Sequence, residues 1–121
     1  MLLKLPLVIQ GYTEEGGSWE EDAVTGDTSA GGVSFTVPRA LVKGQVLHLA
    51  LPLPPSLRQF DHDGRSYYVY ALVRDVTGEE TRHRVGAMFF GRDAPRGFGD
   101  KPWARFLLPD EASAELSAGS K

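Results

Sequence analysis

The sequence predicts an all-β domain of six strands, closed as a small barrel or stacked as a sandwich. Apolar residues recur at every second position in short runs, which is the period of a half-buried strand. Clusters of Gly, Pro and Asp separate those runs, as turns require. No run alternates with a long amphipathic helical pattern, so a parallel α/β sheet is not expected.

In the first strand, Leu3, Leu5, Leu7 and Ile9 share one face. Glu14-Glu15-Gly16-Gly17 reads as a hairpin turn, because glycine supplies positive φ at little cost. A second strand starts at Trp19 and runs to Val24. In the third, Val33, Phe35 and Val37 alternate with Ser34 and Thr36, and Pro38 ends it for want of an amide donor. Gln45 to Leu51 is the fourth, with Leu47, Leu49 and Leu51 on one face and His48 opposite, exposed. Pro52, Pro54 and Pro55 stop regular pairing. Asp61-His62-Asp63-Gly64 is a solvated turn. Tyr67 to Val76 is the fifth strand and Val85 to Phe90 the sixth; both are rich in residues that suit a pleated surface.

Beyond the strands, Trp103, Arg105 and Phe106 form an aromatic-basic run. Such residues are enriched in interface hot spots, which makes them the partner-contact candidates. The plainer reading is that Trp103 and Phe106 plug one end of the fold. Asp110 to Leu116 is expected as a short helix with Asp110 near its N-cap, and the last residues are expected to fray. The expected division is a domain with its packed C-terminal segment over residues 1–108 and a partly disordered tail over 109–121.

Composition narrows the function. The 121 residues suit one domain, and 41% hydrophobic content can build a core. There is no cysteine, which excludes disulfides and thiolate metal sites and suits a reducing compartment. The apolar start is broken by Lys4 and Pro6, so neither a secretory leader nor a membrane span is expected, and a cytoplasmic location follows. Net charge is -3, with an acidic first third and a mildly basic middle. That balance is too weak for general nucleic-acid binding. His48, His62 and His83 have no metal-ligand spacing, and Ser29 has no nearby histidine to act as a base. Neither a metal site nor an enzyme is expected.

The most informative stretch is Asp27-Thr28-Ser29-Ala30-Gly31-Gly32-Val33-Ser34-Phe35. Asp27 and Ser29 stand two apart, so on an extended chain both side chains point the same way. A carboxylate and a hydroxyl there can meet the edge of a purine. Gly31 and Gly32 let the chain turn and let a flat ligand approach. The same run also occurs as a plain turn, with Asp27 or Ser29 bonding its own backbone.

This block resembles the Asp-x-Ser-x-x-Gly motif of PilZ domains. Gly44 with Leu47 resembles the family's Gly-x-x-Leu pattern, and Val85-Gly86-Ala87-Met88-Phe89 its Val-Gly-x-x-Phe ending. The resemblance covers residues 4 to about 92. It implies a six-stranded antiparallel β-barrel with a short C-terminal extension, a bacterial regulatory role, and cyclic di-GMP as the ligand. Asp27, Ser29 and Gly32 would contact guanine, with Lys4 or another base on phosphate.

The chain departs from the family at the upstream Arg-x-x-x-Arg pair. The first arginine in the sequence is Arg39, and Lys4, 23 positions before Asp27, stands where the second of the pair would fall. A lysine lacks the fork and the flat face that let guanidinium bond phosphate bidentately and stack on a purine. Each charge-assisted hydrogen bond lost costs roughly 1.5–3 kcal/mol, and each 1.4 kcal/mol is about tenfold in affinity. Arg39, Arg74, Arg82, Arg84 and Arg92 are the candidates to substitute. The departure favours a domain degenerate in cyclic di-GMP binding that acts through an unidentified protein partner. A working cyclic di-GMP receptor is the first alternative. A barrel for single-stranded nucleic acid is the second, and it needs Tyr67, Tyr68 and Tyr70 facing outward.

Overall fold

The computed structural model describes residues 4–13, 15–60, 62, 64–79 and 81–94. Six strands form a closed antiparallel barrel: β1 (Pro6–Tyr12), β2 (Ser18–Thr28), β3 (Gly32–Val37), β4 (Val46–Leu51), β5 (Tyr67–Glu79) and β6 (Arg82–Gly91). Their order around the ring is β1-β2-β3-β6-β5-β4. Pairing of β1 with β4, through Val8 with Ala50 and Ile9 with Leu49, closes the ring.

The period-two pattern fills the interior as expected. Leu7 and Ile9, then Val33, Phe35 and Val37, then Leu47, Leu49 and Leu51 all point inward and are buried. Tyr67, Val69, Ala71 and Val73 of β5 and Val85, Ala87 and Phe89 of β6 complete the core. Tyr67 and Phe89 meet edge to face at 5.6 Å, the geometry that aromatic quadrupoles prefer.

Partly buried residues of the strands and loops, among them Trp19, Leu57 and Phe60, pack against this core. At one end Trp19 lies across Gly11, where a side chain would strike the indole. The Arg39 guanidinium sits 4.3 Å above the Trp19 ring and 3.5 Å from the Glu21 carboxylate. At the other end Arg58 is buried, which demands partners for its charge. Its Nε donates to the Leu53 carbonyl at 2.7 Å and its Nη2 to the Arg65 carbonyl at 3.1 Å. The ring of Tyr67 lies beneath it at 5.4 Å, and the Tyr67 hydroxyl accepts the Phe60 amide at 2.9 Å.

Several sequence expectations are corrected. The first two strands are shifted and extended, to Pro6–Tyr12 and Ser18–Thr28. The proline run carries a single 3-10 turn, Pro55–Leu57. His62 is exposed, as a solvated turn implies, and its Nε2 donates to the Arg58 carbonyl at 2.8 Å. His48 is half-buried rather than exposed, because its ring packs against Tyr70 with centroids 4.6 Å apart. Burial pushes its pKa down from the ordinary histidine range. The β5–β6 turn depends on Gly78, whose φ of 120° is a conformation side chains avoid. The segments 102–108 and 109–121, with Trp103, Arg105, Phe106 and the expected helix, lie outside the described residues.

Candidate functional site

The site begins with an irregularity in β2. Thr25 pairs with Phe35 and Thr28 with Val33, so β2 spends three steps where β3 spends two. This is a β-bulge, and it re-aims the side chains around it. Thr25 and Thr28 both turn inward and are buried, although they stand three apart. Gly26 and Asp27 between them are left on the outer side, with Asp27 exposed. The Asp27 amide, displaced from the ladder, donates instead to the Ser34 hydroxyl at 2.8 Å.

The hairpin that follows is held by its own backbone. The Ser29 amide donates to the Gly32 carbonyl at 2.9 Å, and the Phe89 amide to the Gly31 carbonyl at 2.9 Å. The Ser29 hydroxyl accepts the Gly31 amide at 3.3 Å. The plain-turn reading of Ser29 therefore holds alongside its position at the site.

Gly31 and Gly32 differ in role from the sequence expectation. A side chain at Gly31 would meet nothing within 4 Å. A side chain at Gly32 would strike the Ala87 carbonyl of β6, its neighbour in the ladder. Close strand contact is sufficient by itself to demand glycine at 32.

Outside this hairpin lies an open cleft of about 230 Å³, lined by Asp27, Thr28, Ser29, Gly32, Val33, Ser34 and Arg84. A smaller hollow of about 60 Å³, lined by Val24, Gly26, Thr36 and again Arg84, lies beside it. The three motif residues Asp27, Ser29 and Gly32 thus come together. Lys4 is exposed and does not line the cleft. Continuing the β1–β2 register, in which Leu5 and Thr25 exchange hydrogen bonds, puts Lys4 across from Gly26.

Arg84 was one of five unranked arginines in the sequence. Its place is set by register: it pairs with Thr36 of β3 and Thr77 of β5, and its outward face is shared with Ser34. Strand alternation from Val85 could have marked it as outward-facing, but not as the neighbour of Asp27. Pockets for drug-sized ligands usually span about 300–1,000 Å³. This cleft is smaller than that range.

The tyrosines separate. Tyr67 is fully buried, Tyr68 is 54% exposed and Tyr70 is half-buried. Three outward stacking platforms, as the nucleic-acid reading needed, are not what β5 offers. Among the described residues no cluster of three His, Cys, Asp or Glu can hold a metal ion, and no helix is long and apolar enough to cross a membrane.

Comparison with solved structures finds K. pneumonia MrkH, at 16% identity and a TM-score of 0.47. The match covers 73% of this chain but only 38% of MrkH. No curated protein matches the chain in sequence. The family model for the PilZ domain matches residues 4–96. That span runs from two residues before β1 through the bulged Asp27 strand and the closing β6, so the barrel and its motif hairpin fall within one match: the chain belongs to the PilZ domain family, a family of regulatory domains that bind cyclic di-GMP.

Proposed function

We propose that this chain is a PilZ regulatory module whose nucleotide cleft is degenerate and which works through contact with a protein partner. The charge of the cleft carries the reading. Arg84 is the one base among its described lining residues, and the carboxylate of Asp27 lines the same cleft. Cyclic di-GMP presents two phosphates, and a guanidinium offset by a carboxylate grips them poorly. The partner side of the proposal rests on Trp103, Arg105 and Phe106, residue types that anchor protein interfaces.

A second reading has its own support. Arg84 brings a guanidinium to the Asp27–Ser29 hairpin from β6 rather than from upstream, which is what a non-standard cyclic di-GMP receptor needs.

Calorimetric titration of cyclic di-GMP into the chain separates the two. The expected result is no binding heat at micromolar concentrations. Micromolar binding that is lost in Arg84→Ala overturns the degenerate reading and makes Arg84 the phosphate contact. Binding gained only on Lys4→Arg, with an arginine-bearing extension before residue 1, identifies a cleft intact except for its clamp.

A further inference from the structure

One outer wall of the barrel carries an apolar band that is open to solvent at both ends. Alternation turns Leu7 and Ile9 inward, so Pro6, Val8 and Gln10 of β1 face out. Pairing sets Val24 of β2 across from Pro6, and Asp22 across from Val8. On the other side of β1, Ala50 of β4 lies across from Val8, and Tyr68 of β5 lies across from Ala50. Val24, Pro6, Val8, Ala50 and Tyr68 are therefore neighbours in an unbroken line over four strands. Val24 is 58% exposed and Tyr68 54%, two of the three large apolar side chains that stand exposed among the described residues. Single exposed apolar residues are ordinary. A contiguous run of them marks a contact surface.

The charge beside the band selects the occupant. Glu20 and Asp22 share the outer face of β2, about 7 Å apart along the strand. Both are exposed, and among the described residues neither has an ion-pair partner. Glu21, on the other face of the strand, is the carboxylate that takes Arg39. Lys4, the base that precedes β1, stands four residues from Val8, about 13 Å along an extended chain. Gln10 and His48 lie in line with Glu20, and burial pushes the His48 pKa down, so its ring adds no cation at neutral pH. The band is thus flanked by two carboxylates that nothing nearby offsets. An anionic occupant, such as nucleic acid or an acidic lipid surface, is repelled there. A segment that sets cations beside apolar side chains complements both features.

We propose that this wall is the docking surface for a basic protein segment, one that carries Lys or Arg next to apolar residues. Its apolar groups cover Val24, Val8 and Ala50. Its cations meet Glu20 and Asp22, with the ring face of Tyr68 as a further cation site. The surface is separate from the Asp27–Ser29 hairpin, although Val24 also lines the smaller hollow beside Arg84. The inference stands whether or not the cleft takes a nucleotide.

The test titrates the isotope-labelled full chain, without nucleotide, with capped hexapeptides and follows the backbone amides. One peptide alternates Leu with Lys, and two controls alternate Leu with Glu and Ser with Lys. The Leu–Lys peptide is expected to shift Val8, Asp22, Val24, Ala50 and Tyr68, and to bind more tightly than either control. In a Glu20→Gln, Asp22→Asn double variant that binding should weaken about 2- to 30-fold at low salt, the span of two exposed ion pairs. A Val24→Ser, Tyr68→Ser double variant should weaken it as well, with amide dispersion retained because both positions are at the surface. No shift at millimolar Leu–Lys peptide, equal binding of a control peptide, shifts centred on the Asp27 cleft, or indifference to both double variants each overturns the proposal. So does a concentration-dependent shift of the same amides in the chain alone, because the wall would then pair with a second copy. The calorimetry of cyclic di-GMP is untouched by any of these results, so the two readings fail separately.

Discussion

Gly31 and Gly32 are adjacent and chemically identical, yet the fold treats them as opposites. A methyl at 32 runs into the Ala87 carbonyl, which is backbone and cannot rotate away. Gly32→Ala is expected to cost about 1–3 kcal/mol, as over-packing does. A methyl at 31 meets open space, and φ there is not positive. Gly31→Ala should gain about 0.4–1 kcal/mol by reducing the freedom of the unfolded chain. Urea unfolding of the two variants, read at constant m, gives opposite shifts in midpoint. The motif itself was legible in sequence, and so was the pairing of Asp27 with Ser29. The reason for the glycine was not, because it lies in a strand 55 positions downstream. The same holds for Arg84: its type and number are visible, but its closeness to Asp27 is a property of the β3–β6 register.

Strand periodicity read off the sequence located all six strands and the correct inner face of the first, third and fourth. It missed the bulge in β2, since a bulge appears in sequence only as a broken alternation between Thr25 and Thr28, two residues that are poor markers of burial. It also misplaced His48. Alternation correctly sets His48 opposite Leu47 and Leu49, but the outer face of β4 and β5 is not a plain solvent face. That has a pH consequence. Burial favours the neutral ring, so the folded-state pKa lies below the unfolded value of about 6.5. The unfolded chain then binds the proton more readily. The stability tied to neutral His48 is present in full above the unfolded pKa and is lost as pH falls through the folded one. The urea midpoint should therefore fall from about pH 7 downward, and His48→Gln should flatten that slope. An equal slope in the variant would show that His48 is not the titrating group.

At the scale of the whole molecule, most contacts join residues far apart in the chain. Closure must bring β1 to β4 and β3 to β6, each pair separated in sequence by two other strands. Loop-closure entropy is spent before those pairings reward it, so refolding is expected on the millisecond-to-second scale of all-β domains. Stopped-flow refolding with Trp19 as a reporter checks this, and microsecond folding would contradict it. The choice between barrel and sandwich needed the family resemblance, because alternation specifies which face is buried but not whether the last strand meets the first. The closed ring also constrains how binding specificity can evolve. A sheet with a free edge can recruit an extended peptide through main-chain hydrogen bonds alone, which every sequence offers. This ring has both terminal positions of its sheet, β1 and β4, paired to each other. Its recognition must be written in outward-facing side chains, so a change of partner can be made by surface substitution while the hydrogen-bonded ladder stays as it is.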